Sequence, residues 1–201
     1  KKFPSKKDDQ KRTLNPKEAI NLGADFLVIG RPIVESINPL ETIKKIKKGL
    51  KAISKLNPIF TSIHICGGDE MQKLSVLKNN KKTIILGVTV LTSLDEKQTL
   101  KYYKEKNVNI LVKKFANYAK KNNLSGLVCS PLEINIIRKE VGTKMILVVP
   151  GIRLNKKFPS KKDDQKRTLN PKEAINLGAD FLVIGRPIVE SINPLETIKK
   201  I

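Results

Sequence analysis

The segment Asp180-Phe181-Leu182-Val183-Ile184-Gly185-Arg186-Pro187 sets the architecture of the chain. A short apolar run entered from Leu177-Gly178-Ala179, with glycine at the left-handed position that ends a helix, predicts a buried strand over Asp180 to Ile184. The residues beyond the strand are chemically specific. Glycine at a strand's C-terminal end lets a ligand approach the backbone, arginine offers a forked cation suited to phosphate, and proline suits the first turn of a helix. The three together predict an anion site at a strand-to-helix turn.

The same segment occurs twice. Residues 1–46 and 156–201 are identical letter for letter, so Gly30, Arg31 and Pro32 repeat Gly185, Arg186 and Pro187. Repeat architectures keep a hydrophobic pattern while their surface residues diverge, and here even the loop lysines are unchanged. The identity reads as a recent duplication or a join in a rearranged gene, and a solenoid is disfavoured. Setting one 46-residue copy aside leaves 155 of the 201 residues as distinct sequence. That suffices for a sizeable core but is short of the roughly 250 residues of a typical eight-stranded α/β barrel.

On the N-terminal side of the second copy, apolar runs and helical patterns alternate. Predicted strands cover Ile59 to Ile65, Thr83 to Val90, Gly126 to Cys129 and Met145 to Val149, and copy one adds another over Asp25 to Ile29. Helices are expected after Cys66-Gly67-Gly68 to about Leu77, over Leu132 to Val141, and over Val108 to Lys121 with Ile110, Leu111, Phe115 and Tyr118 on its apolar side. Asn15-Pro16 and Asn38-Pro39 are helix starts in copy one, the second leading to apolar Leu40, Ile43, Ile46, Leu50 and Ile53. Asp95 to Tyr103 reads as a polar loop or a short helix. Strands alternating with helices imply right-handed βαβ units around a parallel sheet. The fold class is therefore α/β, an incomplete barrel of about six parallel strands. Two units are expected: residues 1–56, the duplicated last βα unit with its helix, and residues 57–201, carrying the remaining strands of one structural domain.

Gly151-Ile152-Arg153 follows the penultimate strand as Gly185-Arg186-Pro187 follows the last. In α/β barrels a phosphate is frequently held by the loops after the final two strands, at the C-terminal face. Arg153 and Arg186 are thus expected to meet there, with the intervening loop of Leu154 to Leu169, which contains Asp163-Asp164-Gln165-Lys166-Arg167, folding over as a lid.

Composition narrows the alternatives. Forty Lys plus Arg against 19 Asp plus Glu give a net charge of +21, which would suit a nucleic-acid binder. The lysines, however, are spread over nearly every helix and loop, and aromatics are only 4%, so the charge reads better as coding bias in an AT-rich genome. A specific nucleic-acid partner is not expected, although phosphorylated metabolites should be attracted. Cys66 and Cys129 lack CxxC partners and lie in apolar segments, which predicts buried free thiols of a reducing, cytoplasmic compartment and neither disulfide nor metal site. His64 is the sole histidine, too isolated from any nucleophile pattern for a triad, and is read as a structural residue at a strand end. No signal peptide or membrane span is visible.

Taken in order, Pro150-Gly151-Ile152-Arg153, Asp164-Gln165-Lys166-Arg167, Asn170-Pro171-Lys172-Glu173-Ala174 and Ala179 to Ile188 resemble the C-terminal part of orotidine 5′-phosphate decarboxylases. His64-Ile65-Cys66-Gly67-Gly68 resembles the end of that family's fourth barrel strand, and Val88-Thr89-Val90-Leu91-Thr92-Ser93 its fifth. The likeness runs from about Phe60 to Ile201, and residues 1 to 56 resemble the family's C-terminal end again. It implies conversion of orotidine 5′-phosphate to UMP and CO2 in de novo pyrimidine synthesis, without cofactor; a homodimer is expected because a partial barrel exposes strand edges and apolar surface that dimerisation would cover. By position it implies that Arg153, Gln165, Gly185 and Arg186 hold the 5′-phosphate and that Thr92 lies at the pyrimidine end, with Gln10, Gly30 and Arg31 as the duplicate copies. Remote phosphate binding would then be used to stabilise the transition state at the ring.

One departure from the family pattern bears on activity. The catalytic Lys and Asp array includes a D-x-K-x-x-D motif after the third strand. Asp9-Gln10-Lys11, Asp95-Glu96-Lys97 and Asp164-Gln165-Lys166 each begin that motif, and each has Leu where the final Asp should stand. No counterpart of the family's first three strands is recognisable. The expectation is a rearranged fragment that keeps the phosphate end of the site. A non-catalytic nucleotide-phosphate-binding partial barrel is the alternative; a phosphosugar isomerase or synthase is disfavoured by the DDQKR and VTVLTS segments.

Overall fold

Phe60 and Phe181, from the first and last strands of the sheet, touch edge to face with ring centroids 5.0 Å apart and planes at 73°. In the computed structural model, which describes residues 48–51, 55, 58–75, 83–92, 94–154, 168–199 and 201, those strands are four places apart in one parallel sheet ordered β1-β2-β3-β4-β5. A flat sheet would separate them by about 19 Å at the usual strand spacing of about 4.8 Å. The contact therefore requires strong curvature. In an eight-stranded barrel, strands four places apart face each other across the axis, and the interior is just wide enough for side chains to fill. The five strands form that half of a barrel.

The strands are β1 (Phe60–His64), β2 (Ile84–Val88), β3 (Gly126–Val128), β4 (Ile146–Val149) and β5 (Phe181–Leu182). Pairing is parallel throughout, with Phe60 opposite Ile84, Leu86 opposite Gly126, Gly126 opposite Ile146 and Val148 opposite Phe181. Helices return the chain between them: α1 (Gly68–Ser75), α2 (Glu96–Tyr103), α3 (Val108–Lys121), α4 (Ile134–Val141), α5 (Pro171–Asn176), α6 (Arg186–Val189) and α7 (Pro194–Lys199).

Side chains alternate across the sheet with a period of two, so each strand feeds two cores. On the convex side Ile63, Ile65, Ile85, Leu127, Leu147 and Val149 join the main cluster with the helices. On the concave side Phe60, Leu86 and Val148, with Ile84, Val128 and Ile146 around them, form a smaller cluster. The phenylalanine pair belongs to this concave side, near the N-terminal ends of the strands.

The helices arise from local signals, with some revisions. Asp95 to Tyr103, open between loop and helix in the sequence, is helical because Asp95 and Gln98 form a capping box: the Gln98 N–H donates to the Asp95 carboxylate at 2.9 Å and the Asp95 N–H to Gln98 Oε1 at 3.1 Å. In α3 the buried stripe is Leu111, Val112, Phe115, Ala116 and Ala119, whereas Ile110 and Tyr118, expected on the apolar side, point outward. The i, i+4 series from Leu111 leaves both off the stripe. The helix expected from Leu132 is a 3₁₀ turn (Pro131–Glu133) followed by α4. Ser130 and Glu133 form its capping box, and Leu132 is half exposed. Cys66 belongs to a 3₁₀ turn (Ile65–Gly67) rather than to a strand, and is only partly buried, while Cys129 is fully buried; both thiols are free.

The segment Asp180 to Ile184 also needs correction. Only Phe181 and Leu182 pair in the ladder, and Phe181 and Val183 are 44% and 47% exposed. The reason is topological: β5 is the last strand of the described sheet, bonded to β4 alone, so its concave residues lack neighbours on their outer side. Its start is firmly held. Asp180 accepts at Oδ2 from the Leu147 N–H at 2.7 Å and from Arg138 Nη2 at 2.7 Å. Arg138 also donates to the carbonyls of Gly178, Gly142 and Met145, tying the end of α4 to the starts of β4 and β5.

Five strands lie among the described residues, and the sixth expected one, Asp25 to Ile29, lies outside them. Of the expected unit 1–56 only 48–51 and 55 are described; residues 48–51 are helical and Leu50 is buried. No helix among the described residues is long and apolar enough to cross a membrane.

Candidate functional site

Parallel pairing sends every strand's C-terminus to the same end of the half barrel, and each exit carries polar or glycine-rich sequence. β1 ends at His64, and β2 leads through Thr89 to Thr92. β3 leads to Ser130, β4 to Gly151-Ile152-Arg153, and β5 to Gly185-Arg186. The opposite end is closed by the Phe60 and Phe181 rings and bound by Arg138.

Gly151 has φ of +83°, a left-handed conformation in which a side chain would be strained. This turn sets up a parallel bridge from Ile152 to Leu169, and the Arg153 N–H donates to the Leu169 carbonyl at 2.9 Å. The chain therefore returns to the mouth after the long loop and enters α5 through the Asn170 capping box, where the Glu173 N–H donates to Asn170 Oδ1 at 2.8 Å. The partly buried Arg153 side chain donates from Nη1 to the Ile152 carbonyl at 2.9 Å.

At the neighbouring exit Gly185 precedes α6, with the Ile188 and Val189 N–H groups donating to its carbonyl at 2.9 and 3.1 Å. Arg186 opens that turn and is partly buried, while Gly185 is exposed, with nothing within 4 Å of where a Cβ would stand. Val149 of β4 aligns with Leu182 of β5, so Arg153 and Arg186 each stand four residues past a matched pair of strand positions. The structure places both arginines at one end of adjacent strands. Thr92 lies at the same end beyond β2, 7% exposed. Thr89 secures that exit: its N–H and its hydroxyl both donate to the Val128 carbonyl at 3.0 Å. Gln165, Gln10, Gly30 and Arg31 lie outside the described residues.

Two features escaped the sequence reading. His64 shares its parity with Phe60 and Ser62, so it faces the concave side at the mouth, and it is 6% exposed. Burial pushes its pKa below the ordinary 6.5, which keeps the imidazole neutral. A strict period-two reading of Phe60 to His64 could have found this orientation. Gly126 is the second: a Cβ there would lie 2.7 Å from the Ile146 carbonyl oxygen and 2.6 Å from Leu86 Cδ2, so β3 approaches its neighbours more closely than any other residue would permit.

On the helix side of the mouth, Cys66 and Tyr103 are neighbours. Burial pushes the Cys66 thiol up, and burial with the adjacent thiol pushes the Tyr103 hydroxyl up to about 12, so both are protonated at neutral pH. A cleft of about 760 Å³ lies further out, lined by Leu94, Asp95, Glu105, Asn107, Leu132 and Ile136 among others, and includes neither arginine nor Thr92. Among the described residues no group of three or more His, Cys, Asp or Glu side chains is placed to hold a metal ion.

Residues 47–201 match the Orotidine 5'-phosphate decarboxylase / HUMPS family. The chain is 40% identical over 172 residues to the orotidine 5'-phosphate decarboxylase of Wolbachia pipientis subsp. Culex pipiens, covering 85% of this chain and 74% of the relative. To the enzyme of the same name from Dictyoglomus thermophilum it is 39% identical over 161 residues, covering 76% of this chain and 65% of that one, just under two thirds of its length. Among solved structures, orotidine 5'-phosphate decarboxylase from Lactobacillus acidophilus superposes with a TM-score of 0.61 at 28% identity, covering 78% of this chain and 67% of that chain. An uncharacterized conserved protein from Geobacillus kaustophilus, at 24% identity and a TM-score of 0.62, shares the fold. With 155 of its 201 residues matched and 40% identity to a relative of which it covers about three quarters, the chain belongs to the orotidine 5'-phosphate decarboxylase / HUMPS family.

Proposed function

We propose that this chain binds the 5′-phosphate of orotidine 5′-phosphate or UMP at the mouth of its half barrel, as the phosphate-holding part of an orotidine 5′-phosphate decarboxylase. The observation that carries the reading is the parallel pairing of β4 and β5, which brings Gly151-Ile152-Arg153 and Gly185-Arg186 to one end of neighbouring strands. Two guanidinium forks and a glycine N–H supply charge-assisted donors matched to a phosphate dianion. Gln165 is proposed to add a donor from the loop between them, and Thr92 to border the pyrimidine. Decarboxylation also needs groups that stabilise the developing carbanion and protonate it, and no D-x-K-x-x-D occurs in the 201 residues. This absence favours the second reading, nucleotide binding without turnover by this chain alone.

Titration calorimetry with UMP, paired with an orotidine 5′-phosphate turnover assay, tests both. The expected result is UMP binding that Arg186→Ala weakens at least tenfold, with turnover near the uncatalysed background. A rate like that of full-length relatives would overturn the non-catalytic part, and no UMP binding would overturn the phosphate site. We further propose that the chain acts in the cytoplasm and as a homodimer. Val189, Ile192 and Leu195 are 79%, 105% and 72% exposed around the last two helices, an apolar surface that self-association would cover. Sedimentation should show a dimer that Ile192→Glu with Leu195→Glu converts to monomer; a monomeric parent chain would refute it.

A further inference from the structure

His64 sits at the C-terminal end of β1, paired in register with Val88 of β2, and points to the concave side of the sheet. β1 stands four strands from β5, so His64 lies across the mouth from the β5 exit that carries Arg186 rather than beside it. The curvature shown by the Phe60 and Phe181 contact at the other end of the same two strands fixes this opposition. A ligand anchored by its phosphate at the β4 and β5 exits and extending inward presents its far end to β1 and β2, where His64 and Thr92 lie.

His64 as a residue is 6% exposed, and no side-chain hydrogen bond or ion pair ties its imidazole to another described residue. The fully buried side-chain atoms without a partner among the described residues are the hydroxyls of Thr61 and Thr83, so the ring nitrogens keep an opening to solvent. The packing role read from the sequence leaves their hydrogen-bonding capacity unused. A neutral imidazole has one N–H donor and one acceptor lone pair, and it can serve either a carbonyl or an N–H. A pyrimidine ring with an imide edge carries both.

Resting on the nucleotide reading above, we infer that His64 is a specificity-determining residue that hydrogen-bonds the ring end of the bound nucleotide and distinguishes it from a bare sugar phosphate. The site then has two poles: arginines at the β4 and β5 exits for the phosphate, and the His64 imidazole opposite them for the ring.

Because His64 is the sole histidine, its imidazole carbon and nitrogen NMR signals need no assignment. The intact chain is titrated with UMP and separately with ribose 5-phosphate. UMP should shift the imidazole nitrogens and ribose 5-phosphate should leave them in place. In parallel, His64→Ala should weaken UMP about tenfold while ribose 5-phosphate affinity stays within about twofold. An imidazole unmoved at saturating UMP, or a variant that loses both ligands equally, would overturn the inference while leaving the phosphate site standing. Failure of the parent chain to bind UMP at all would overturn both. The NMR arm uses unaltered protein, so a variant that fails to fold does not remove the test.

Discussion

Thr61 shares the convex side of β1 with Ile63, is 2% exposed, and carries a hydroxyl with no hydrogen-bond partner among the described residues. Burying an unmet hydroxyl costs free energy, and valine has nearly the same shape without it. Thr61→Val should therefore stabilise the chain by about 1 kcal/mol, seen as a melting temperature higher by about 2 to 4 °C. An unchanged or lower value would mean that the hydroxyl is satisfied. His64, three residues on, acts on stability in a pH-dependent way. Its pKa is lowered by burial, so the unfolded chain takes up a proton more readily than the folded one. The associated stability is present above the unfolded value of about 6.5 and is lost as pH falls through the lower folded value. Denaturant unfolding should show weakening below pH 6.5 in the parent chain, and His64→Gln should remove that component. An equal slope in both proteins would assign the acid loss to other groups.

Each strand exit and helix start answers to a local rule, and this is why so much of the architecture is legible in the residues. Ser130-Pro131-Leu132-Glu133 and Asn170-Pro171-Lys172-Glu173 announce their capping boxes, and the apolar runs locate all five described strands to within a few residues. What local rules could not supply is the effect of neighbours. Asp180 to Ile184 has the composition of a fully buried strand, but burial depends on a partner at each edge, which composition does not encode. Gly126 reads as an ordinary strand start, and its necessity comes from Leu86 and Ile146 on flanking strands. Gly126→Ala should cost about 3 kcal/mol, because the obstructing atom is a backbone carbonyl that cannot rotate aside. Gly49, in the described helical residues 48–51, has nothing within 4 Å, so Gly49→Ala should stabilise by about 0.5 to 1 kcal/mol. Chemical denaturation of the two variants checks the contrast in sign, and a tolerated Gly126→Ala would show that the strands can spread.

For the chain taken entire, two identical 46-residue segments raise the question of which one carries the proposed anion site. Sequence identity makes Arg31 and Arg186 equal in local chemistry, so any difference between them must come from context. Within the 201 residues the second copy follows Pro150-Gly151-Ile152-Arg153, and there β4 places a second arginine at the adjacent strand exit. A forked cation acting alone on a solvated phosphate is weak, whereas two converging with a glycine N–H form a preorganised site. The net charge of +21 adds long-range attraction common to both copies, and salt screens it. UMP affinity measured at about 0.15 M salt should therefore fall at least tenfold in Arg186→Ala and stay within about twofold in Arg31→Ala. The residual binding of Arg186→Ala should be the more salt-sensitive, since what remains is diffuse attraction rather than a formed site. Equal losses in the two variants would show that both copies contribute to one site, and a loss confined to Arg31→Ala would move the site to the first copy.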